Sequence, residues 1–215
     1  MDLSDSIGLA FFTIIFTLLA NVIFKWLQNK FDFLVEVKKF KREHYYNQLS
    51  ELYMELYAVI AQSEFLRVFH NIDSFGSLKD IPFLEIQQKL KKHQKDLFSG
   101  EDVKSEIEIV ENTITKFNKI GLVESILTKK QFASQDLLKL AVAYRYCHEH
   151  YLNENLEAGQ LEKFQKTELE LIYKIVVTVI KECNSNLKFC KMDYNKLELR
   201  EGKMDNKIFN FQKVI

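Results

Sequence analysis

The eighteen residues Ile7–Phe24 (IGLAFFTIIFTLLANVIF) form an uncharged, almost wholly apolar run near the N-terminus. At ~1.5 Å rise per residue a helix of this length covers about 27 Å, close to the ~30 Å hydrocarbon core of a bilayer. Such a segment must be buried in lipid or in protein, and core helices are rarely apolar all round for so long. A cleavable signal peptide fits poorly. The start carries Asp2 and Asp5, and the run passes into Lys25 and Trp26 without a small-x-small cleavage site. A retained transmembrane helix within residues 1–28 is therefore expected. No Lys or Arg precedes it, whereas Lys25, Lys30, Lys38, Lys39, Lys41 and Arg42 follow. The positive-inside rule then places the N-terminus outside and the rest of the chain in the cytoplasm, with Trp26 at the interface.

The span is not uniformly apolar. Thr13, Thr17 and Asn21 recur every four residues, extended by Ser6 and Ala10, and so lie along one helix face. A side-chain amide facing lipid is costly and prefers a protein partner or water. A single span has no second helix of its own, so the row is expected to be a packing seam between copies or the lining of a pore. The alternative is that each threonine hydroxyl bonds its own helix backbone.

About 190 residues follow the span, enough for one domain with a real core. Six glycines and the single Pro82 leave few of the residues that punctuate β-rich folds, and Leu, Lys, Glu and Gln dominate. The fold class read from this is all-α: one transmembrane helix, a cytoplasmic helical bundle over residues 29–186, and a tail or short hairpin over 187–215. Net charge is zero, so no strong basic field advertises nucleic-acid binding. Cys147, Cys183 and Cys190 have no CxxC or Cys/His metal spacing, and the five histidines form no HExxH pattern. No Gly-rich phosphate loop or GxSxG elbow is present. No metal or cofactor is expected.

No Gly or Pro occurs between Gly8 and Gly76, while Leu34, Val37, Leu49, Leu52, Leu56, Val59 and Ile60 recur at helical spacing. This predicts a long amphipathic helix, continuous with the span, closing near Asp73–Gly76. Asp80-Ile81-Pro82 reads as the start of a helix to about Phe98, and Val103 to Ile120 as another. Ser134 and Asp136 read as capping residues of a helix through Tyr151. Leu161 to Glu182 forms the last long helix, with Ile175–Ile180 too short to span a bilayer and expected in the core. Tyr45, Tyr46, Tyr53, Tyr57, Phe65 and Phe69 form an aromatic series that serves either as core or as a partner-recruiting face.

The segment most suggestive of chemistry is Arg145-Tyr-Cys-His-Glu-His150. A guanidinium suits phosphate and an imidazole titrates near neutral pH. On a helix, however, His150 lies about 140° from Arg145, and His148 is closer to its face. Arg followed by four intervening residues and His resembles the motif of HEPN domains, which are small helical bundles. In HEPN nucleases the resemblance implies a composite site from two protomers, with His moving protons, Arg holding the scissile phosphate and no metal needed. Tyr146 stands where active members carry a polar residue, so no catalytic residue and no enzymatic activity are expected.

The combination of one N-terminal span, a helical bundle and a lone Arg145/His150 motif resembles the membrane-anchored, HEPN-like accessory protein of type VI-B CRISPR systems. That resemblance implies a homo-oligomeric pore in the bacterial cytoplasmic (inner) membrane. It would strengthen antiviral defence by an RNA-guided RNA nuclease through loss of membrane potential, with RNA binding left open. A membrane-tethered HEPN ribonuclease and a single-pass adaptor are the alternative readings.

Overall fold

The computed structural model describes residues 3–72, 76–87, 89–95, 102–109, 112–151 and 158–209. It divides into two units, residues 1–44 and 45–215.

The first unit is a single helix. α1 (Leu3–Gln48) runs 46 residues without interruption, as the absence of Gly and Pro after Gly8 predicts. From Phe12 onward its side chains are exposed along the whole apolar run. By length and composition this is one helix able to cross a membrane, with none of its apolar window buried.

The second unit is a bundle around one core. A π-helical turn (Leu49–Tyr53) leads into α2 (Met54–Phe69). The extra residue of an i→i+5 turn shifts the helical register, and Leu49, Leu52, Tyr53 and Leu56 all remain buried across it. α2 ends at Phe69 with His70 as its C-cap, and Asn71 just beyond takes a left-handed φ of 53°. α3 (Lys119–Thr128), α4 (Gln135–Tyr151) and α5 (Ala158–Phe189) complete the bundle, α4 packing on both α3 and α5, and α5 on α2. Leu52, Leu56, Leu122, Ile126, Leu137 and Ile175 are fully buried at its centre. Ser134 caps α4 as expected, its Oγ accepting from the Leu137 N–H at 3.1 Å. Ile175, Val176, Val179 and Ile180 lie in the core, also as expected.

The described residues are helical, as expected, apart from the stretch between Pro82 and Ile109. The expected helices from Asp80-Ile81-Pro82 to about Phe98 and from Val103 to Ile120 do not form. Residues 82–87 form no regular element, and β1 (Lys89–Lys95) pairs antiparallel with β2 (Asp102–Ile109). Phe98 itself lies outside the described residues. Two causes are visible. α2 captures the backbone here: Ser63 Oγ accepts from the Leu84 N–H at 2.7 Å, Arg67 donates to the Ile81 carbonyl, and Phe83 enters the core. In β2, Val103, Ile107 and Ile109 sit at odd positions among polar residues, a period of two that suits a strand. Helix propensity summed over Lys, Glu and Leu was the weaker signal.

After α5 the chain forms α6 (Lys196–Glu201) and a 3₁₀ turn (Lys207–Phe209). Asn195 caps α6, accepting from Leu197 and Glu198 N–H, and Gly202 closes it at φ 68°. A Cβ at Gly202 would stand 2.6 Å from Val177 Cγ1 on α5, so this close approach requires glycine.

Candidate functional site

The Arg145–His150 segment lies in the last turns of α4, with Cys147 buried. Arg145 is exposed and forms a long ion pair with Glu149, Nε to Oε1 3.8 Å, one turn along its own helix. His150 is half-buried and lies nearly parallel to Phe164 of α5, ring centroids 5.7 Å apart at 8°, with Tyr146 against its other contact at 4.3 Å. Within one chain the two motif residues are thus held by different neighbours, as their five-residue spacing dictates.

The polar cluster that α4 and α5 do assemble centres on His148. Glu168 Oε1 accepts from the Tyr144 hydroxyl at 2.8 Å and lies 3.0 Å from His148 Nδ1. Tyr144 and His148 stack at 5.9 Å, one helical turn apart. Burial, followed by the Glu168 carboxylate, raises the Tyr144 phenol well above its ordinary range, so it remains a donor at any physiological pH. Burial likewise raises the Cys147 thiol, with Glu168 adding to the shift. This arrangement joins two helices and keeps a carboxylate satisfied in a half-buried place. His148 was visible in sequence as the histidine nearest Arg145 in direction. Its partner Glu168, twenty residues on, follows only from the antiparallel packing of α4 on α5.

A second polar cluster lies where α6 meets the bundle. The buried Glu198 carboxylate accepts from the Tyr57 hydroxyl (3.0 and 2.9 Å), from Asn184 Nδ2 (2.8 Å) and from the Asp205 N–H (2.9 Å). Asn184 Oδ1 in turn accepts from the Asn195 N–H at 2.8 Å. The Cys183 thiol beside them is pushed up to about 12 by burial and then by Glu198. An open groove of about 1190 Å³ runs along this cluster, lined among others by Met54, Leu187, Asp193, Tyr194 and Ile208. Tyr53 makes a similar tie, its hydroxyl donating to Glu182 Oε2 at 2.6 Å and accepting from the Ser134 N–H. The aromatic series is therefore divided. Tyr53 belongs to the core, Tyr45, Tyr57 and Phe65 are half-buried, and Tyr46 and Phe69 are exposed.

On α1, Thr17 Oγ1 donates to the Thr13 carbonyl at 2.7 Å, so the hydroxyl is satisfied on its own helix. Asn21 is exposed and makes no hydrogen bond among the described residues. Of the row Thr13, Thr17 and Asn21, the amide is the member whose polarity calls for something outside the helix. No group of three or more metal-ligating side chains occurs among the described residues. Comparison with family models, with curated proteins and with solved structures finds no match.

Because Arg145 is an exposed member of a single helix pair, Arg145→Ala is expected to change stability by no more than about 1 kcal/mol. His150→Ala removes ring contacts with Phe164 and Tyr146 and is expected to cost about 0.5–1.5 kcal/mol. Thermal melts of both variants in detergent check this. A loss of several kcal/mol for Arg145→Ala would mean that its guanidinium is buried in an assembly.

Proposed function

We propose that this chain is a single-pass membrane protein that self-associates through its N-terminal helix and acts by permeabilising the bilayer. The observation that carries this reading is the apolar run of α1, exposed from Phe12 to Phe24, with Asn21 on its surface. An amide facing hydrocarbon is stabilised by a second copy of the same row or by water in a channel. The basic flank from Lys25 to Arg42 supports a cytoplasmic position for the bundle. The resemblance to the type VI-B accessory family supplies the setting, in which depolarisation of the bacterial inner membrane reinforces an RNA-guided RNA nuclease during infection. The neutral charge of the chain and the separate engagement of Arg145 and His150 fit a non-enzymatic effector better than a tethered ribonuclease.

Asn21→Leu tests it. An interhelical hydrogen bond in a membrane contributes roughly 1 kcal/mol, so its loss should weaken association several-fold per contact. If the row lines a channel, an apolar replacement also dewets it. Dye uptake and depolarisation in cells expressing the variant at normal levels should fall sharply. Unchanged permeability would overturn the pore.

A further inference from the structure

β1 and β2 form a two-stranded sheet, seven and eight residues long, in which each strand is also an edge. The strands pack on each other, and among the described residues no helix packs extensively on either. Every second residue of an edge turns its backbone N–H and C=O away from the partner strand, where another chain can pair with them. A two-stranded sheet on its own is marginally stable in water, and a third strand is what secures it. The register irregularity between Gln94 and Lys95 lies near one end, so residues 89–94 and 104–109 present regular edges for such a strand.

The charges identify that strand. β1 carries Lys89, Lys91, Lys92 and Lys95 and no acid, whereas β2 carries Asp102, Glu106 and Glu108 against Lys104 alone. Within the sheet the two signs meet, Lys92 standing opposite Glu106 in the register. Neighbouring strands lie only ~4.8 Å apart, so the same electrostatic rule governs an added strand. β1 beside β1 of a second copy sets lysines against lysines, and β2 beside β2 sets acids against acids. Like charges facing each other destabilise both pairings. β1 of one copy beside β2 of the next sets lysines against acids. Lysines on an edge normally blunt it toward stray strands, but opposite an acidic strand the same residues select it. We infer that this sheet joins copies of the chain head to tail, the outer edge of β1 in one copy pairing with the outer edge of β2 in the next. The two edges differ, so the contact is heterologous and does not stop at a two-fold pair. Insertion of every copy in one orientation keeps the series in one plane, where it closes as a ring. The inference rests on the proposed self-association and gives it a second interface, separate from the span.

The test uses the full chain in native membranes with Cys190→Ser, which leaves only the buried Cys147 and Cys183. A chain carrying Lys92→Cys is co-expressed in turn with differently tagged chains carrying Lys104→Cys, Ser105→Cys, Glu106→Cys, Ile107→Cys or Glu108→Cys. Mild oxidation is expected to give a mixed disulfide at one or two of these five positions, while the Lys92→Cys chain expressed alone stays uncrosslinked. Charge reversal supplies the second readout. Lys91→Glu with Lys92→Glu, or Glu106→Lys with Glu108→Lys, should shift the detergent-solubilised assembly to smaller species. All four changes in one chain restore opposite signs within and between copies, and should restore the parent size. No mixed disulfide at any position, a Lys92→Cys chain that crosslinks equally well alone, or assembly indifferent to the reversals would overturn the strand contact. A large oligomer without mixed disulfides would leave association through the span standing and remove this interface. Mixed disulfides in membranes that stay impermeant would overturn the pore and keep the interface.

Discussion

Arg67→Ala is expected to destabilise the helical bundle by about 3–5 kcal/mol, the largest effect of any single substitution considered. Arg67 is 1% exposed, its Nε donates to Glu64 Oε2 at 3.1 Å, and Nη2 donates to the Ile81 carbonyl. Glu64, on the same helix, also accepts from Asn206 Nδ2 at 3.0 Å. One ion pair thereby joins α2 to the turn at Ile81 and to the segment after α6. Alanine leaves a buried carboxylate without its cation and a carbonyl without its donor, so the penalty is the desolvation of both groups. For a unit of this size that loss should lower the melting temperature by roughly 10 °C. The double variant Arg67→Met/Glu64→Met separates charge from shape. Removing both ions and keeping the volume is expected to recover most of the lost stability. Chemical denaturation of the detergent-solubilised chain measures the cycle. If the double variant is as unstable as Arg67→Ala, the arginine acts through its geometry on Ile81, and the ion pair is secondary.

How much of this was legible in the sequence depends on the range of the interaction. The elements decided within a few residues were legible: the uninterrupted first helix, the Ser134 cap, and the apolar cluster at Ile175–Ile180. The stretch from Pro82 to Ile109 was not. Pro82 and the Lys/Glu-rich composition are compatible with helices. What holds residues 81–84 out of a helix are Ser63 and Arg67, an acceptor and a donor on a different element. Propensity contributes tenths of a kcal/mol per residue, and a few satisfied buried groups outweigh it. The alternation of Val103, Ile107 and Ile109 was the one local sign of a strand.

The candidate site divides in the same way. Arg145 and His150 were legible as a motif, and their five-residue spacing already placed them on different sides of a helix. The groups that do meet on α4, Tyr144 and His148, do so through Glu168, and no local pattern connects residues 144 and 168. On α1 the polar row was legible residue by residue, and the hydrogen bond from Thr17 to Thr13 narrows its chemical interest to Asn21.

Glu198→Ala is the second large effect, expected to cost about 3 kcal/mol or more. The carboxylate is 3% exposed and accepts from three donors: the Tyr57 hydroxyl, Asn184 Nδ2 and the Asp205 N–H. Each buried donor left unpaired costs about 1–3 kcal/mol, reduced here where water enters from the adjoining groove. Glu198→Gln keeps an acceptor oxygen but places an amide NH₂ against donors, and it should fall between alanine and the parent. The substitution has a spectroscopic companion in Cys183, whose thiol is held at about 12 first by burial and then by the Glu198 charge. Removing that charge and loosening α6 lowers the thiol's pKa, so thiolate reactivity at a fixed pH rises. The sign is determined, because a thiol pKa raised in the folded state relaxes toward its ordinary value when the cause is withdrawn. Maleimide labelling at pH 8 in a Cys190→Ser background should be slow for the parent and markedly faster for Glu198→Ala, below the melting temperature of either. Faster labelling without loss of stability would mean that α6 opens locally and the three donors find water. Unchanged labelling together with unchanged stability would remove Glu198 as the tie that holds the C-terminal segment to α5.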